Sequence, residues 1–349
     1  MLVTPLTQPE PRFALLACPY CRAALTESGP DRLGCTACGK GFDVLLGIPD
    51  LRVADGPYIT NVGDRAKAER IAAAYDGSRF ADLVALYYRL TPEVPPDDAA
   101  RFTEALLSAP ERAQATLESW LAMDSRAMRP GCRFADVGCG TAPMLVAARG
   151  LAAESIGVDV SLRWLVIAKK RLDEAGLQVR LVCANAEALP LADGVLDAVA
   201  FDSTLEHCRD GARAVTEAAR VLSPGGKVLV STPNRFSLGP DPHLGMWAAG
   251  WLPAMVTRWW AARKAALVPV RHLVSSWELR RWLDRGGFQA VQLSNPPLSS
   301  AQRSRLGGVG ARLAGAYNEL RGRPGVSGLL RLVGPILHGV ARRGAEPPA

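Results

Sequence analysis

Residues 135–143, ADVGCGTAP, decide how the rest of this 349-residue chain is read. The run before them, CRFADVG, is β-rich, and APMLVAARGLA after them is helical in pattern, so the loop joins a strand to a helix. Gly138 and Gly140 permit a tight turn and a close approach of backbone to a ligand. A dinucleotide loop needs a third glycine where Pro143 stands, because a pyrophosphate rests on helix N–H groups. Proline is tolerated in a first helical turn but donates nothing. The loop is therefore expected to serve a ligand without a phosphate.

Working outward, ESIGVDV, VRLVCAN, LDAVAFD and GGKVLVSTP follow CRFADVG, with helical stretches such as SLRWLVIAKKRLDEAG and RDGARAVTEAARVL between strands. This alternation predicts a parallel, doubly wound sheet covered by helices on both faces. SWELRRWLDRGG and FQAVQLS add a helix–strand pair, and PILHGVARR offers one more strand. Asp136, two residues before Gly138, suits a ligand carrying an ammonium group. Asp159, closing the second strand, stands where a carboxylate meets a ribose diol. An amino acid end, a ribose and no phosphate describe S-adenosylmethionine.

DVGCGTA, GVD, NAEALP, LDAVAFDSTLEH, EAARVLSPGG and VSTPN, in that order and spacing, resemble the class I S-adenosylmethionine-dependent methyltransferases. The nearest likeness is to the branch holding ubiquinone-type O-methyltransferases, over roughly residues 130–295 and the last strand. The resemblance implies an α/β, Rossmann-like, seven-stranded doubly wound sheet with a last antiparallel strand. It implies that Asp136, Gly138 and Gly140 surround the methionine part, that Asp159 meets the ribose hydroxyls, and that Asn185 and Ala186 border the adenine. Asp202, ending LDAVAFD, is grouped with these cofactor residues. Taken singly, each glycine could be a mere turn and each aspartate a solvated strand end. Ala142 departs from a common third glycine, and Asn185 from a common aspartate whose adenine contact its amide oxygen can still make.

Near the N-terminus, Cys18, Cys21, Cys35 and Cys38 form two C-x-x-C pairs. Each pair can present two thiolates to one tetrahedral ion, and a closed four-sulfur set fits structural zinc better than a redox dithiol. Gly34 and Gly39 are expected at the tight turns of these knuckles. The ribbon resembles those of tRNA-methyltransferase activator proteins and of a ribosomal-RNA guanine methyltransferase, over about 40 residues. Cys132, Cys139, Cys183 and Cys208 are scattered, which suits free thiols in a reducing cytosol.

The expected organisation is a zinc ribbon over 1–60, a helical segment over 61–129, and a core over 130–349 with cap insertions at about 234–274 and 296–333. VADGPYITN (53–61) reads as a linker and TPEVPPDD as a break between helices. No secretory signal and no uninterrupted apolar run long enough for a membrane span is visible, so a cytoplasmic protein is expected. With only four histidines, the candidate general bases are His207, in STLEHC, and His243, beyond the fifth strand. Glu206 could orient either or meet the acceptor, and His272 and His338 read as structural. The first insertion concentrates Trp247, Trp251, Trp259 and Trp260 beside Arg258, Arg263 and Lys264. Such a tract either packs as a lid or touches a membrane surface. The reading is O-methylation of a small-molecule, glycan or lipid-linked acceptor. The rivals are RNA base methylation, which the net charge of +7 would favour, and a non-catalytic adaptor.

Overall fold

Two cysteine knuckles open the chain, and a computed structural model describes it over residues 13, 15–239, 241, 246–263, 271–298 and 300–345. Strands β1 (Leu25–Gly29), β2 (Arg32–Cys35), β3 (Gly41–Leu45) and β4 (Ile48–Pro49) form an antiparallel ribbon in that order. Gly39 turns the second knuckle at φ 70°. Gly34, just before that pair, does not make the expected turn; it pairs within β2, opposite Thr26 and Gly41. In the first knuckle the matching left-handed residue is Arg22, at φ 66°. That conformation costs a non-glycine residue roughly 1–2 kcal/mol. The side chain offers a reason for the choice: its guanidinium donates to the Leu189 carbonyl at 2.8 Å and to Glu217 at 3.0 Å, docking the ribbon on the core.

Four helices follow, α1 (Asn61–Ala72), α2 (Phe80–Arg89), α3 (Pro96–Leu107) and α4 (Ala109–Met123). Helix α3 starts inside the stretch read as a break, since proline is pre-organised for a first turn and Asp97 and Asp98 suit the helix dipole there. The buried Trp120 of α4 donates its indole N–H to the Val230 carbonyl at 3.0 Å, fastening the segment to the sheet.

In the core, β5 (Cys132–Val137), α5 (Pro143–Ala147), β6 (Ala152–Asp159), α6 (Leu162–Glu174), β7 (Arg180–Cys183), β8 (Leu196–Asp202), α7 (Gly211–Val221) and β9 (Leu222–Pro233) alternate. The first insertion contributes α8 (Ala254–Arg263); then come α9 (Ser276–Arg285), β10 (Phe288–Ser294), α10 (Ser300–Leu320), α11 (Val326–Val333) and β11 (Ile336–Arg343). The sheet order is β10-β11-β9-β8-β5-β6-β7, and β11 alone runs antiparallel to its neighbours, as the sequence led us to expect. Phe134, Val137, Val199, Phe201, Val228 and Val230 are buried because helices cover both faces, which is why these strands read as continuous apolar runs. The chain winds outward from β5 to β7 and returns to place β8 on β5's other side. That reversal opens a crevice beyond the carboxyl ends of β5 and β8. Among the described residues no helix is long and apolar enough to cross a membrane.

Candidate functional site

The crevice holds a cavity of about 230 Å³ whose wall includes Gly138, Asp159, Asn185, Ala186, Ser203 and His207. Gly138 turns at φ 80° and Gly140 at φ 51°. A Cβ on Gly138 would fall 2.2 Å from the Thr204 hydroxyl oxygen, so no other residue fits. Ala142 also adopts a left-handed backbone, at φ 63°, the conformation a third glycine would take freely. The Gly140 N–H donates to Asp159 at 2.8 Å, and the Ser161 N–H donates to the other carboxylate oxygen at 2.8 Å. Burial pushes the Asp159 carboxyl above its ordinary value against the pull of these two amides. A carboxylate has further lone pairs, so it can still accept from hydroxyls.

Asp136 is buried just behind this wall, and its Oδ1 has no hydrogen-bond partner within the described protein. Burial, with Asp202 and Asp159 nearby, drives its carboxyl well above the usual range. An unpaired buried carboxylate is costly, and a cationic ligand would relieve it. Asp202 ends β8 half-buried and is raised by burial despite hydrogen bonds from Ser231 and Ser203; it does not line the cavity.

The stretch read as a linker is part of the site. Beyond β4, Leu51 donates its N–H to the Cys183 carbonyl at 2.8 Å and extends the edge at β7. The Asn185 amide oxygen then accepts from the N–H groups of Val53 (2.9 Å) and Ala54 (3.2 Å), and its NH2 donates to the Ala54 carbonyl. That side chain is thus committed to the protein, and the adenine contact expected of its oxygen would compete with these bonds. Held this way, residues 53–61 cross the crevice as a strap, with Asp55, Pro57 and Tyr58 on the cavity wall. The far end is fixed by Asp64, buried between Arg52 (2.7 Å) and Arg163 and accepting the Leu162 N–H at 2.7 Å. No apolar period marks this strap; its sequence signals were only a Gly-Pro turn pair and a single tyrosine.

Of the candidate bases, His207 lies at the cavity with Nδ1 2.8 Å from the Tyr58 hydroxyl. Glu206, next to it, does not line this cavity and is 2% exposed. It accepts from the Thr232 hydroxyl at 3.1 Å, and burial raises its carboxyl to about 7. The returning end of the first insertion lies on it, with the His272 N–H donating to the Glu206 carbonyl at 2.6 Å. His243 and Lys264 lie outside the described residues. The His272 ring is 2.9 Å from Glu278, and His338 is 2.9 Å from the Ser119 hydroxyl, its pKa driven down to about 3 by burial.

The sulfurs of Cys18, Cys21, Cys35 and Cys38 all lie within 4.8 Å of one another, with 3.7 Å between Cys18 and Cys38 and 3.4 Å between Cys21 and Cys35. A tetrahedral Zn–S4 site has sulfur–sulfur edges of about 3.8 Å, so the set fits zinc with little movement. The amides of Cys38 and Ala37 draw the Cys35 thiol down to about 6, towards the thiolate a metal requires.

Residues 135–230 match a family model described as a methyltransferase domain. The chain is 38% identical over 114 residues to the ubiquinone biosynthesis O-methyltransferase of Thiobacillus denitrificans, covering 32% of this chain and 49% of that one. It is 37% identical over 93 residues to the demethylmenaquinone methyltransferase of Thermus thermophilus, covering 27% and 42% respectively. It therefore spans about half the length of the curated relatives it matches. Among solved structures, the [4+2]-cyclase SpnF is 25% identical at a TM-score of 0.42, covering 62% of this chain and 76% of that one. Phosphoethanolamine N-methyltransferase 2 of Haemonchus contortus, in complex with S-adenosylmethionine, is 16% identical at 0.42, covering 62% and 50%. Such superpositions add nothing to the topology already described. The glycine turn, the strand order and the sequence match agree: over 135–230 this chain carries a class I S-adenosylmethionine-dependent methyltransferase domain.

Proposed function

We propose that the whole protein is a methyltransferase that uses S-adenosylmethionine to methylate a hydroxyl of a small-molecule, glycan or lipid-linked acceptor. The observation that carries this reading is the unsatisfied, buried Asp136 oxygen behind the Gly138 turn, beside a cavity with Asp159 on its wall. When bound, the cofactor supplies a methyl group on a positively charged sulfur. Asp136 would take the methionine ammonium, Gly138 and Gly140 would let it approach the backbone, and Asp159 would accept from the ribose hydroxyls. Asn185 would act through the strap it holds, and Ala186 would border the adenine. Asp202 would steady the floor through Ser203, the residue that does face the cavity.

Transfer forms an acceptor oxygen–carbon bond as the sulfur–carbon bond breaks, and the acceptor proton must leave. Positioning and exclusion of water supply much of such an acceleration. Two described groups are suited to the proton. His207 is oriented by Tyr58 at the cavity, and Glu206 is tuned near neutrality under the first insertion. His243 stands as a third candidate from the sequence. The domain limits are proposed as 1–60 for a ribbon closed by structural zinc, 61–129 for a helical segment, and 130–349 for the core. The insertions would cap the acceptor.

The test is to incubate purified protein with methyl-labelled cofactor and a cell extract, then count label in RNA, protein, organic-soluble and small polar fractions. Label in the organic or small polar fraction supports the reading. Label confined to nuclease-sensitive material replaces it with RNA methylation, and no incorporation anywhere favours the adaptor.

A further inference from the structure

The charge of this protein is not spread over it. Residues 234–274 and 296–333 hold eleven Lys and Arg against two acids, Asp241 and Glu319, a net +9 where the entire chain carries +7. Everything else is slightly acidic. The same two segments hold an unusual share of exposed apolar side chains, among them Trp247, Met255, Trp259, Leu329 and Leu332; Met255 is 75% exposed and Leu329 59%. Scattered single residues of this kind need no explanation, but these crowd into two segments whose bases are tied together into one platform. The Leu238 N–H donates to the Val333 carbonyl at 3.1 Å, and the Asn234 amide donates to the Leu332 carbonyl at 2.9 Å, lashing the start of the first insertion to the end of α11. Trp251 donates to the Phe236 carbonyl at 2.9 Å and packs edge-on against its ring. Arg263 lies 4.1 Å over the Trp259 ring, so cation and indole leave the surface together.

We infer that this platform docks on an anionic lipid bilayer. Indoles and arginines suit the headgroup layer, and aliphatic side chains beside them suit the acyl boundary. The net +9 complements a negatively charged leaflet. RNA would satisfy the arginines but gives Met255, Leu329 and Leu332 no apolar phase to enter. The platform begins beyond the carboxyl end of β9, the end of the sheet that carries the Gly138 turn, so docking would present the acceptor side of the crevice to the membrane. This inference stands apart from the proposed chemistry, since it needs neither cofactor nor acceptor.

The experiment is flotation of the full chain, without cofactor, on vesicles of phosphatidylcholine alone or with about a third phosphatidylglycerol. The protein is expected to float with the anionic vesicles only, less so at high salt. The double variant Met255→Asp with Leu329→Asp changes two exposed positions, so it should keep its melting temperature and its calorimetric affinity for S-adenosylmethionine while partitioning about tenfold less. Arg323→Glu with Arg331→Glu should weaken flotation too. Failure to prefer anionic vesicles, or full retention by the Met255/Leu329 variant, overturns the proposal. Capture by total RNA at the same salt, with no vesicle binding, overturns it in favour of a nucleic-acid partner. Failure of the methyl-transfer reading would appear separately, as loss of the calorimetric signal or of label incorporation.

Discussion

Glu206 carries a carboxyl that burial lifts from an ordinary 4.5 to about 7. Between those values the folded chain keeps a proton that the unfolded chain has released. Folding stability contributed by this group is therefore full below about pH 4.5, declines as pH rises, and is lost above about pH 7. The shift corresponds to about 3 kcal/mol at most. Glu206→Gln should flatten that decline, and denaturant melts at pH 5 and pH 8 check it; a variant that declines as steeply as the parent would clear Glu206 of the titration. The same group, if it takes the acceptor proton, makes transfer rise with pH through about 7 and fall sharply in the glutamine variant. The residue itself was visible in STLEHC. Its environment was not, because Thr232 and His272 arrive from distant parts of the chain. Arg22 makes the same point: nothing local reveals that an arginine would accept a glycine's conformation in order to reach Glu217.

The strap, residues 53–61, is held at its start by one side chain, Asn185. Asn185→Ala removes the three hydrogen bonds that hold Val53 and Ala54. Partly buried hydrogen bonds contribute about 1 kcal/mol each, so the strap should loosen without the core unfolding. Cofactor affinity, measured by calorimetry, is expected to fall about tenfold or more with a small change in melting temperature. Unchanged affinity would mean that Asp55 and Tyr58 wall the cavity without contributing to binding. Regular elements of the core were readable because each strand carries its own apolar run and each helix its own apolar period, from CRFADVG to PILHGVARR. The strap has no period, and α3 hid behind prolines that begin a helix as readily as they end one.

The ribbon and the core share a boundary that neither sequence pattern announced. Ala17 donates to the Pro190 carbonyl at 3.0 Å, Ala192 donates to Leu15 at 3.0 Å, and Arg22 is clamped by Glu217. Four cysteines at ribbon spacing were plain from the sequence; that their fold continues without interruption into the wall of the cavity required long-range pairing to be seen. A ribbon this small would owe much of its stability to the zinc proposed for it. Treatment with a strong chelator, or Cys35→Ser, should remove about one zinc per chain and weaken cofactor binding in the same preparation. Metal analysis alongside calorimetry decides: zinc lost with cofactor affinity intact would make the ribbon an independent appendage.

A cavity walled on one side by its own upstream chain would be filled and emptied past that wall. Fresh cofactor and spent by-product share a ribose, an adenine and an amino acid end, so they would compete for one doorway at residues 53–61. The hydrogen bonds of Asn185 that secure the incoming molecule would equally detain the outgoing one. A looser strap would then trade affinity for faster exchange, and turnover would be governed by how often the doorway opens as much as by the bond made behind it.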